Sequence, residues 1–239
     1  MKLTKEEIQF IDNYLIKNDI KFWDVRLELL DHIVSAVEDK ITTKGISFNE
    51  ALLEVHRGFG NQFIRFGVHE NEIFEKGLYQ SNIGFKKFTR RKQKEVGRKY
   101  RILTWTYIKE QLASPIFILE YIAFIGLFLG FCNLFPKYTF LFGLLILIIP
   151  NIYSIYLYIK DKTTRKSLSY GMATSSTMLS WTLYNLVFYI LKDYYGTTEQ
   201  MPHIIFVIIT CVFYPFIRAT IKVYRKVYNE TKADYKLKF

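Results

Sequence analysis

Hydrophobic positions follow different patterns in the two halves of the chain. In the first 60 residues they recur at helical spacing, as in the series Val25, Leu29, Ile33 and Val37. Apolar residues spaced in this way lie along one face of a helix. After residue 114 the apolar positions form long continuous runs instead. The sequence therefore predicts a small domain of amphipathic helices followed by helices that are apolar on all sides.

Two capping signals place the starts of helices in the N-terminal domain. Thr4 is followed by Glu7, and Ser47 by Glu50, at the three-residue spacing of a capping box. In that motif the hydroxyl and the carboxylate each accept a hydrogen bond from a backbone N–H at the helix start. Asp24 is predicted to cap a further helix between them. The domain is therefore predicted to contain three helices before residue 60.

Four apolar runs after residue 114 each have about the length of a membrane crossing, for which an α-helix needs roughly 20 residues. The first run contains one charge, Glu120, and the fourth contains Arg218 near its end. The third is uncharged but rich in hydroxyl groups. The sequence predicts four transmembrane helices, at residues 116–135, 139–159, 168–191 and 204–221.

These patterns predict an all-α protein with a small N-terminal helical cytoplasmic domain and a four-helix transmembrane bundle. Apolar residues between positions 61 and 85 suggest a helical or packed connector. The predicted divisions are a cytoplasmic helical adaptor domain at 1–80, a basic juxtamembrane helix or linker at 81–113, four transmembrane helices at 114–221 and a basic cytoplasmic tail at 222–239.

Composition excludes several classes of protein. Half of the residues are hydrophobic and 18% are aromatic, which excludes a disordered chain. The two cysteines, Cys132 and Cys211, both lie in apolar runs, which argues against a disulfide-built scaffold. Nucleotide-binding, nucleophile-elbow and haem motifs do not occur in the sequence. We therefore expect neither enzymatic activity nor a cofactor.

The formal net charge of +11 is distributed unevenly. Residues 1–80 carry a net charge of −4, residues 81–113 of +8 and residues 114–239 of +7. The basic residues flank the first run, fill the connection at 160–167 and begin the C-terminal tail. Because basic connections of membrane proteins stay in the cytoplasm, both termini and the 160–167 connection are predicted to be cytoplasmic. The predicted location is the cytoplasmic (inner) membrane.

The basic segment before the first run has three interpretations. It could lie on anionic lipid, where each Lys or Arg contributes about 1 kcal/mol; it could bind nucleic acid; or it could only set the topology. Its position beside the first run favours contact with anionic lipid head groups together with topogenesis, and argues against direct nucleic-acid binding. The candidate lipid-contact residues are Lys86, Lys87, Arg90, Arg91, Lys92, Lys94, Arg98, Lys99 and Arg101.

The polar face of the second predicted helix is a candidate partner-contact surface. Glu28 and His32 are four residues apart and therefore adjacent on that face. A carboxylate and an imidazole suit a transition metal, but the Cys/His clusters and the HExxH motif typical of such sites do not occur. No metal site is predicted, and the alternatives are a partner surface or a solvated face. The candidate residues are Glu28, Asp31, His32, Ser35 and Glu38.

Glu120 is the one acidic residue inside the apolar runs. It lies five residues into the first run, roughly 7 Å along the helix axis. Ionisable groups at membrane depth are candidate functional sites. Glu120 is therefore either an interfacial carboxylate or a group that binds a proton or a cation in a small oligomeric transporter or channel.

The N-terminal region resembles the HAAS domain (helix-turn-helix-associated α-helical signalling), which occurs ahead of membrane spans in bacterial proteins. The resemblance covers residues 8–61, and the chain closes on Phe-Gly-Asn where the family usually has Leu-Gly followed by Asp and Pro. The residues that carry it are Tyr14, Leu15, Arg26, Leu29, His32, Gly45, Ser47, Ala51, Phe59 and Gly60.

The resemblance implies a cytoplasmic adaptor that binds a PadR-like winged-helix regulator or a related signalling protein. The predicted function is therefore a multi-pass bacterial membrane protein that couples a membrane signal to a cytoplasmic partner. The small transporter or channel is the alternative. The predicted partners are the lipid bilayer, its anionic head groups, the regulator and a second copy of the chain in a homo-oligomer.

Overall fold

The computed structural model describes residues 2–61, 82–175, 178–196 and 202–238, which are helical nearly throughout and contain no strand. Their contacts define two compact units, Met1–Glu95 with Lys166–Leu168, and Val96–Arg165 with Ser169–Phe239. The helices are α1 (Lys5–Lys17), α2 (Trp23–Lys44), α3 (Phe48–Gly58), α4 (Ile83–Leu112), α5 (Pro115–Leu134), α6 (Thr139–Lys160), α7 (Lys162–Arg165), α8 (Leu168–Ser175), α9 (Met178–Tyr195) and α10 (His203–Lys238).

Both predicted capping boxes are confirmed in the first unit. The Thr4 hydroxyl accepts a hydrogen bond from the Glu7 N–H, and the Glu7 carboxylate accepts one from the Thr4 N–H. Ser47 and Glu50 make the same reciprocal pair at the start of α3. Each box satisfies two backbone donors that the helix start leaves without intrahelical partners. Local sequence therefore determines where α1 and α3 begin.

The core of the first unit is formed by the apolar stripes of α1, α2 and α3. Ile11, Leu15 and Leu29 are fully buried, which is what residues at helical spacing on one face achieve when helices pack together. At the surface, Glu54 of α3 accepts hydrogen bonds from Lys40 and Lys44 of α2 at 2.6 and 2.7 Å. These bonds lower the pKa of the Glu54 carboxyl to about 2.

The expectation that Asp24 caps α2 is wrong. The helix begins at Trp23, two residues earlier than an Asp24 cap would place it, with Phe22 at the N-cap position and no side-chain cap. Asp24 lies in the first turn, where an acidic side chain interacts favourably with the helix dipole. Its carboxylate accepts hydrogen bonds from residues far along the chain, so a local rule could not identify its partners.

The basic segment forms the 30-residue helix α4, and the boundary between the units falls within it. Phe85 and Phe88 of its first half are buried in the first unit. Tyr100 of its second half belongs to a cluster in the second unit with Leu157, Tyr170 and Tyr224. One helix therefore contributes to both cores.

Three helices of the described residues are long and apolar enough to cross a membrane, namely Pro115–Leu134, Pro136–Lys160 and His203–Leu237. They coincide with the first, second and fourth predicted runs. Large apolar side chains of α5 point away from the protein, and Ile116 and Leu127 are each 77% exposed. Such a surface is compatible with a membrane protein, since a soluble monomer rarely exposes extensive apolar patches.

The third predicted run, 168–191, is not a single described helix. The structure has α8 and α9 on either side of residues 176–177, which lie outside the described residues, as do residues 62–81 of the suggested connector at 61–85. The last residues of that connector form the start of α4. Neither α8 nor α9 is among the helices apolar enough to span. Hydroxyl groups such as those of Thr174 and Ser175 reduce the apolar character of this region.

The fourth run and the tail form one continuous helix, α10. Its apolar first part packs against α6 around Leu147, Tyr184 and Phe206. Its basic second part buries Val223 and Tyr224 in the cluster that contains Tyr100. The tail is therefore an ordered extension of the apolar helix.

Candidate functional site

Glu120 is paired with groups of α10. The Arg218 guanidinium makes an ion pair with its carboxylate, and the Tyr214 hydroxyl donates a hydrogen bond of 2.6 Å to the same Oε1. Arg218 also lies over the Phe117 ring, 5.5 Å from its centroid. About a third of each charged side chain is exposed. The cluster joins the start of α5 to the middle of α10.

This pairing bears on the two interpretations of Glu120. The charge of the Glu120 carboxylate is already paired with Arg218, and one of its lone pairs accepts the hydrogen bond from Tyr214. Sequence reasoning noted Arg218 only as a charge within the fourth run. Glu120 and Arg218 each lie near the end of their apolar run that is flanked by basic residues. This shared position is the sequence signal that could have identified the pair. The geometry favours a connection between helices over a carboxylate that binds protons or cations.

A second cluster forms within the first unit where α2 meets residues 166–168. The Trp23 N–H donates a hydrogen bond of 2.9 Å to the Lys166 carbonyl. In return, the Asp24 carboxylate accepts hydrogen bonds from the Leu168 N–H at 2.9 Å and the Ser167 hydroxyl at 3.0 Å. The starts of α2 and α8 thus satisfy each other's backbone donors, which helix ends require. We refer to Trp23, Asp24 and residues 166–168 as the reciprocal cap.

The reciprocal cap predicts a measurable effect of Asp24→Ala. Loss of a side chain that caps a helix start typically costs about 1 kcal/mol, so we expect the Leu168 amide to exchange with solvent roughly fivefold faster or more. Hydrogen exchange of the full chain in detergent measures this. Asp31→Ala is the control, because Asp31 is an exposed acidic residue of the same helix. Equal exchange rates in both variants would contradict a capping role.

The candidate partner-contact residues are divided by the structure. Glu28 makes an ion pair with Lys92 of α4 at 2.6 Å. The Glu38 carboxylate accepts a hydrogen bond from the Leu3 N–H. His32 lies 3.9 Å from Glu28 and its ring meets Phe88 edge-on. Asp31 and Ser35 are exposed, so they remain available for contact with a partner.

The candidate lipid-contact residues lie along α4, and all of them except Lys92 are exposed. Lys92 contacts both Glu28 and Glu95, and hydrogen bonding to the Glu28 carboxylate raises the pKa of its ammonium group. This lysine therefore attaches α4 to α2 within the first unit. The exposed basic residues share α4 with exposed apolar side chains, Ile102 and Trp105, a combination typical of helices that lie at a membrane surface.

His56 is a buried histidine that sequence reasoning did not single out. It is 1% exposed, and the Tyr14 hydroxyl hydrogen-bonds its Nδ1. Burial, assisted by the neighbouring charge of Arg57, lowers the pKa of its imidazole to about 4. The folded first unit therefore holds His56 neutral at physiological pH.

The lowered pKa of His56 predicts an acid-sensitive first unit. Below about pH 6.5 the unfolded chain binds a proton at His56, whereas the folded chain binds it only near pH 4. The free energy of unfolding should therefore fall as the pH falls between these values, by at most about 1.4 kcal/mol per pH unit. Thermal unfolding at several pH values measures the slope. His56→Gln should reduce it, and the exposed His32→Gln should not; the opposite order would contradict the assignment.

The described residues contain no group of three or more His, Cys, Asp or Glu side chains that could hold a metal ion. No protein-family model, curated protein or solved structure matches the chain.

Proposed function

We propose that the chain is a multi-pass membrane protein whose N-terminal helical unit couples a signal from the membrane to a cytoplasmic protein. The observation that carries the proposal is the reciprocal cap. Residues 166–168 belong to the first unit, although they directly connect α6 and α7 to α8. A displacement of these helices would act on the start of α2 through Asp24. A domain that was only tethered to the membrane helices by a linker would not need such a contact.

Contacts to the 160–167 connection support a common side for both ends of the chain. Asp24 and Trp23 contact residues 166–168, and Lys232 of the C-terminal tail lies 3.7 Å from Asp161. Groups in such contact lie on the same side of a membrane. Two crossings by α5 and α6 return the chain to the side of α4, in agreement with the first contact.

The second contact supports a fourth crossing. Between Asp161 and Lys232 the chain contains the four-residue α7, then α8, α9 and the apolar part of α10. If α10 crosses once, α8 and α9 together must also cross once to bring Lys232 back to Asp161. We therefore infer four crossings, with the third made by a helix pair rich in hydroxyl groups. Such groups stabilise crossings by hydrogen bonds within the bundle.

The orientation follows from charge. The basic helix α4, the 160–167 connection and the basic end of α10 would all face the cytoplasm under the positive-inside rule. The exposed lysines and arginines of α4 would then contact the anionic lipid head groups of the inner leaflet.

The partner proposed for the first unit is a PadR-like regulator, as the resemblance to HAAS domains implies. Asp31 and Ser35 offer the exposed part of the polar face of α2 for this contact. The test is a binding titration between the full-length protein in lipid nanodiscs and the PadR-like regulator encoded nearest to its gene. We expect specific binding that Asp31→Lys weakens about tenfold, since a charge reversal inside an interface costs more than 1 kcal/mol.

Glu6→Lys provides the matched control. It reverses the same charge at an exposed position of α1 and should leave the affinity within about twofold. Equal loss in both variants would show that only the overall charge matters. Absence of binding by the unmodified protein would contradict the adaptor function itself.

A further inference from the structure

Basic and tyrosine side chains gather at one end of the second unit, where α6 ends and α10 leaves its apolar part. The cations are Lys160 of α6 and Lys222 and Arg225 of α10, and all three are exposed. Lys222 and Arg225 are three residues apart and therefore lie on one face of α10. Lys222 also lies over the Tyr107 ring of α4, 6.0 Å from its centroid. The positive charge thus comes from two helices that are each apolar enough to cross a membrane.

Two tyrosines of α6 bring the cations of the two helices together. The Arg225 Nε lies 3.5 Å from the Tyr153 hydroxyl, and Lys160 interacts electrostatically with the same tyrosine. The Lys160 ammonium also lies over the Tyr156 ring, 5.5 Å from its centroid. We refer to Tyr153, Tyr156, Lys160, Lys222 and Arg225 as the tyrosine–cation cluster.

The charge of the tyrosine–cation cluster is not balanced by the protein. Among the described residues, its three cations have no acidic partner. Asp161 follows Lys160 in the chain, but its carboxylate accepts hydrogen bonds from Thr163 and lies 3.7 Å from the Lys232 ammonium. The cluster therefore carries positive charge that an anion from outside the protein could neutralise.

An apolar surface continues from the cluster along the same face of α6. Ile149 and Leu145 lie about three and four helical turns before Lys160, which places them on its side of the helix. Both side chains are exposed. The face therefore offers cations at its end and apolar side chains at greater membrane depth. This sequence of charge and apolar surface matches a ligand with an anionic head and a hydrocarbon chain.

We propose that the tyrosine–cation cluster binds the phosphate of one anionic phospholipid, with an acyl chain on Leu145 and Ile149. A guanidinium can pair with two phosphate oxygens at once, and basic sites between transmembrane helices bind anionic head groups. The tyrosines suit this depth, because their rings prefer the head-group level of a membrane. Unlike the basic residues of α4, the cluster joins two apolar helices. The site rests on the membrane placement proposed above and not on the adaptor function.

The test follows lipid binding to the full-length protein in maltoside detergent by native mass spectrometry. The probes are dioleoyl-phosphatidylglycerol, which is anionic, and dioleoyl-phosphatidylcholine, which has no net charge. Lys160→Gln with Arg225→Gln removes two cations of the cluster. Lys162→Gln with Lys226→Gln is the matched control, because both lysines are exposed and lie within two positions of the cluster residues.

We expect the cluster variant to weaken binding of the first phosphatidylglycerol molecule at least about tenfold, and the control variant by less than about threefold. Tyr153→Phe provides a second measurement without a change of net charge. It removes the hydroxyl that Arg225 contacts, so it should weaken binding by about threefold or more.

Several results would overturn the proposal. Equal losses in the two double variants, an unaffected Tyr153→Phe variant, or equal binding of the two lipids would each indicate only diffuse attraction. Glycerol 3-phosphate and a hexaglutamate peptide are added as competitors at equal concentration. Displacement of the lipid by the first would assign the cluster to a soluble phosphate ester, and displacement by the second to an acidic protein segment. Regulator binding is measured separately, so the lipid site and the adaptor function can fail independently.

Discussion

Replacing Arg218 by alanine should destabilise the apolar helices more than most single changes in this protein. The substitution leaves the Glu120 carboxylate in an apolar run with only the Tyr214 hydroxyl as a described partner. Breaking a fully buried pair costs about 3–5 kcal/mol. Because about a third of each side chain is exposed, we expect about 2–3 kcal/mol of unfolding free energy to be lost.

A double-mutant cycle separates the pair from its surroundings. Glu120→Ala and Arg218→Ala are measured singly and together by unfolding in mixed detergent micelles. The double variant should be less destabilised than the sum of the single variants by at least about 1 kcal/mol. Additive effects would show that the two charges act independently. Proton or cation flux that depends on Glu120 in liposomes would favour the transporter alternative.

Gly84→Ala should disrupt the attachment of α4 to the first unit. A Cβ atom at this position would lie 1.9 Å from the Phe59 carbonyl oxygen, a backbone atom that cannot rotate away. The glycine allows Asn61 to accept hydrogen bonds from the Gly84 and Phe85 N–H groups, which completes the helix start. We expect a loss of roughly 3 kcal/mol or a displaced helix start.

Gly97→Ala on the same helix is the matched control. There the nearest atom to a new Cβ is the terminal methyl of Met172 at 2.9 Å, on a flexible side chain. Replacing a helical glycine by alanine otherwise contributes about 1 kcal/mol of stability. Thermal unfolding should therefore show a strong decrease for Gly84→Ala and little change or a gain for Gly97→Ala. Similar decreases in both would contradict the close approach at Phe59.

The features that sequence could predict are those determined by neighbouring residues. The capping boxes at Thr4 and Ser47 involve partners three positions away, so their spacing is sufficient to recognise them. Long apolar runs likewise identify α5, α6 and α10 without any tertiary information. The third run was less predictable, because hydroxyl groups make it resemble both a crossing and a polar segment.

Partners that are distant along the chain were not predictable in this way. Asp24 has the sequence context of a helix cap, and its contacts with Ser167 and Leu168 depend on the tertiary fold. Glu28 was assigned to a solvated or partner-binding face, although Lys92 of α4 covers it. Such pairs bring together residues more than 60 positions apart. Helical periodicity defines which face a residue occupies, but not which element packs on that face.

The most direct test of the proposed architecture is the side of the membrane on which each connection lies. Single cysteines are introduced into a Cys132→Ser, Cys211→Ser background at four exposed positions and labelled with an impermeant maleimide in intact and opened cells. The substitutions are Lys137→Cys, Lys162→Cys, Asp193→Cys and Lys236→Cys.

We expect positions 137 and 193 to be labelled in intact cells, and positions 162 and 236 to be labelled only after the cells are opened. This pattern requires four crossings with the 160–167 connection and the C-terminal tail in the cytoplasm. Labelling of positions 193 and 162 from the same side would contradict the crossing by α8 and α9, and with it the proposed transmembrane architecture.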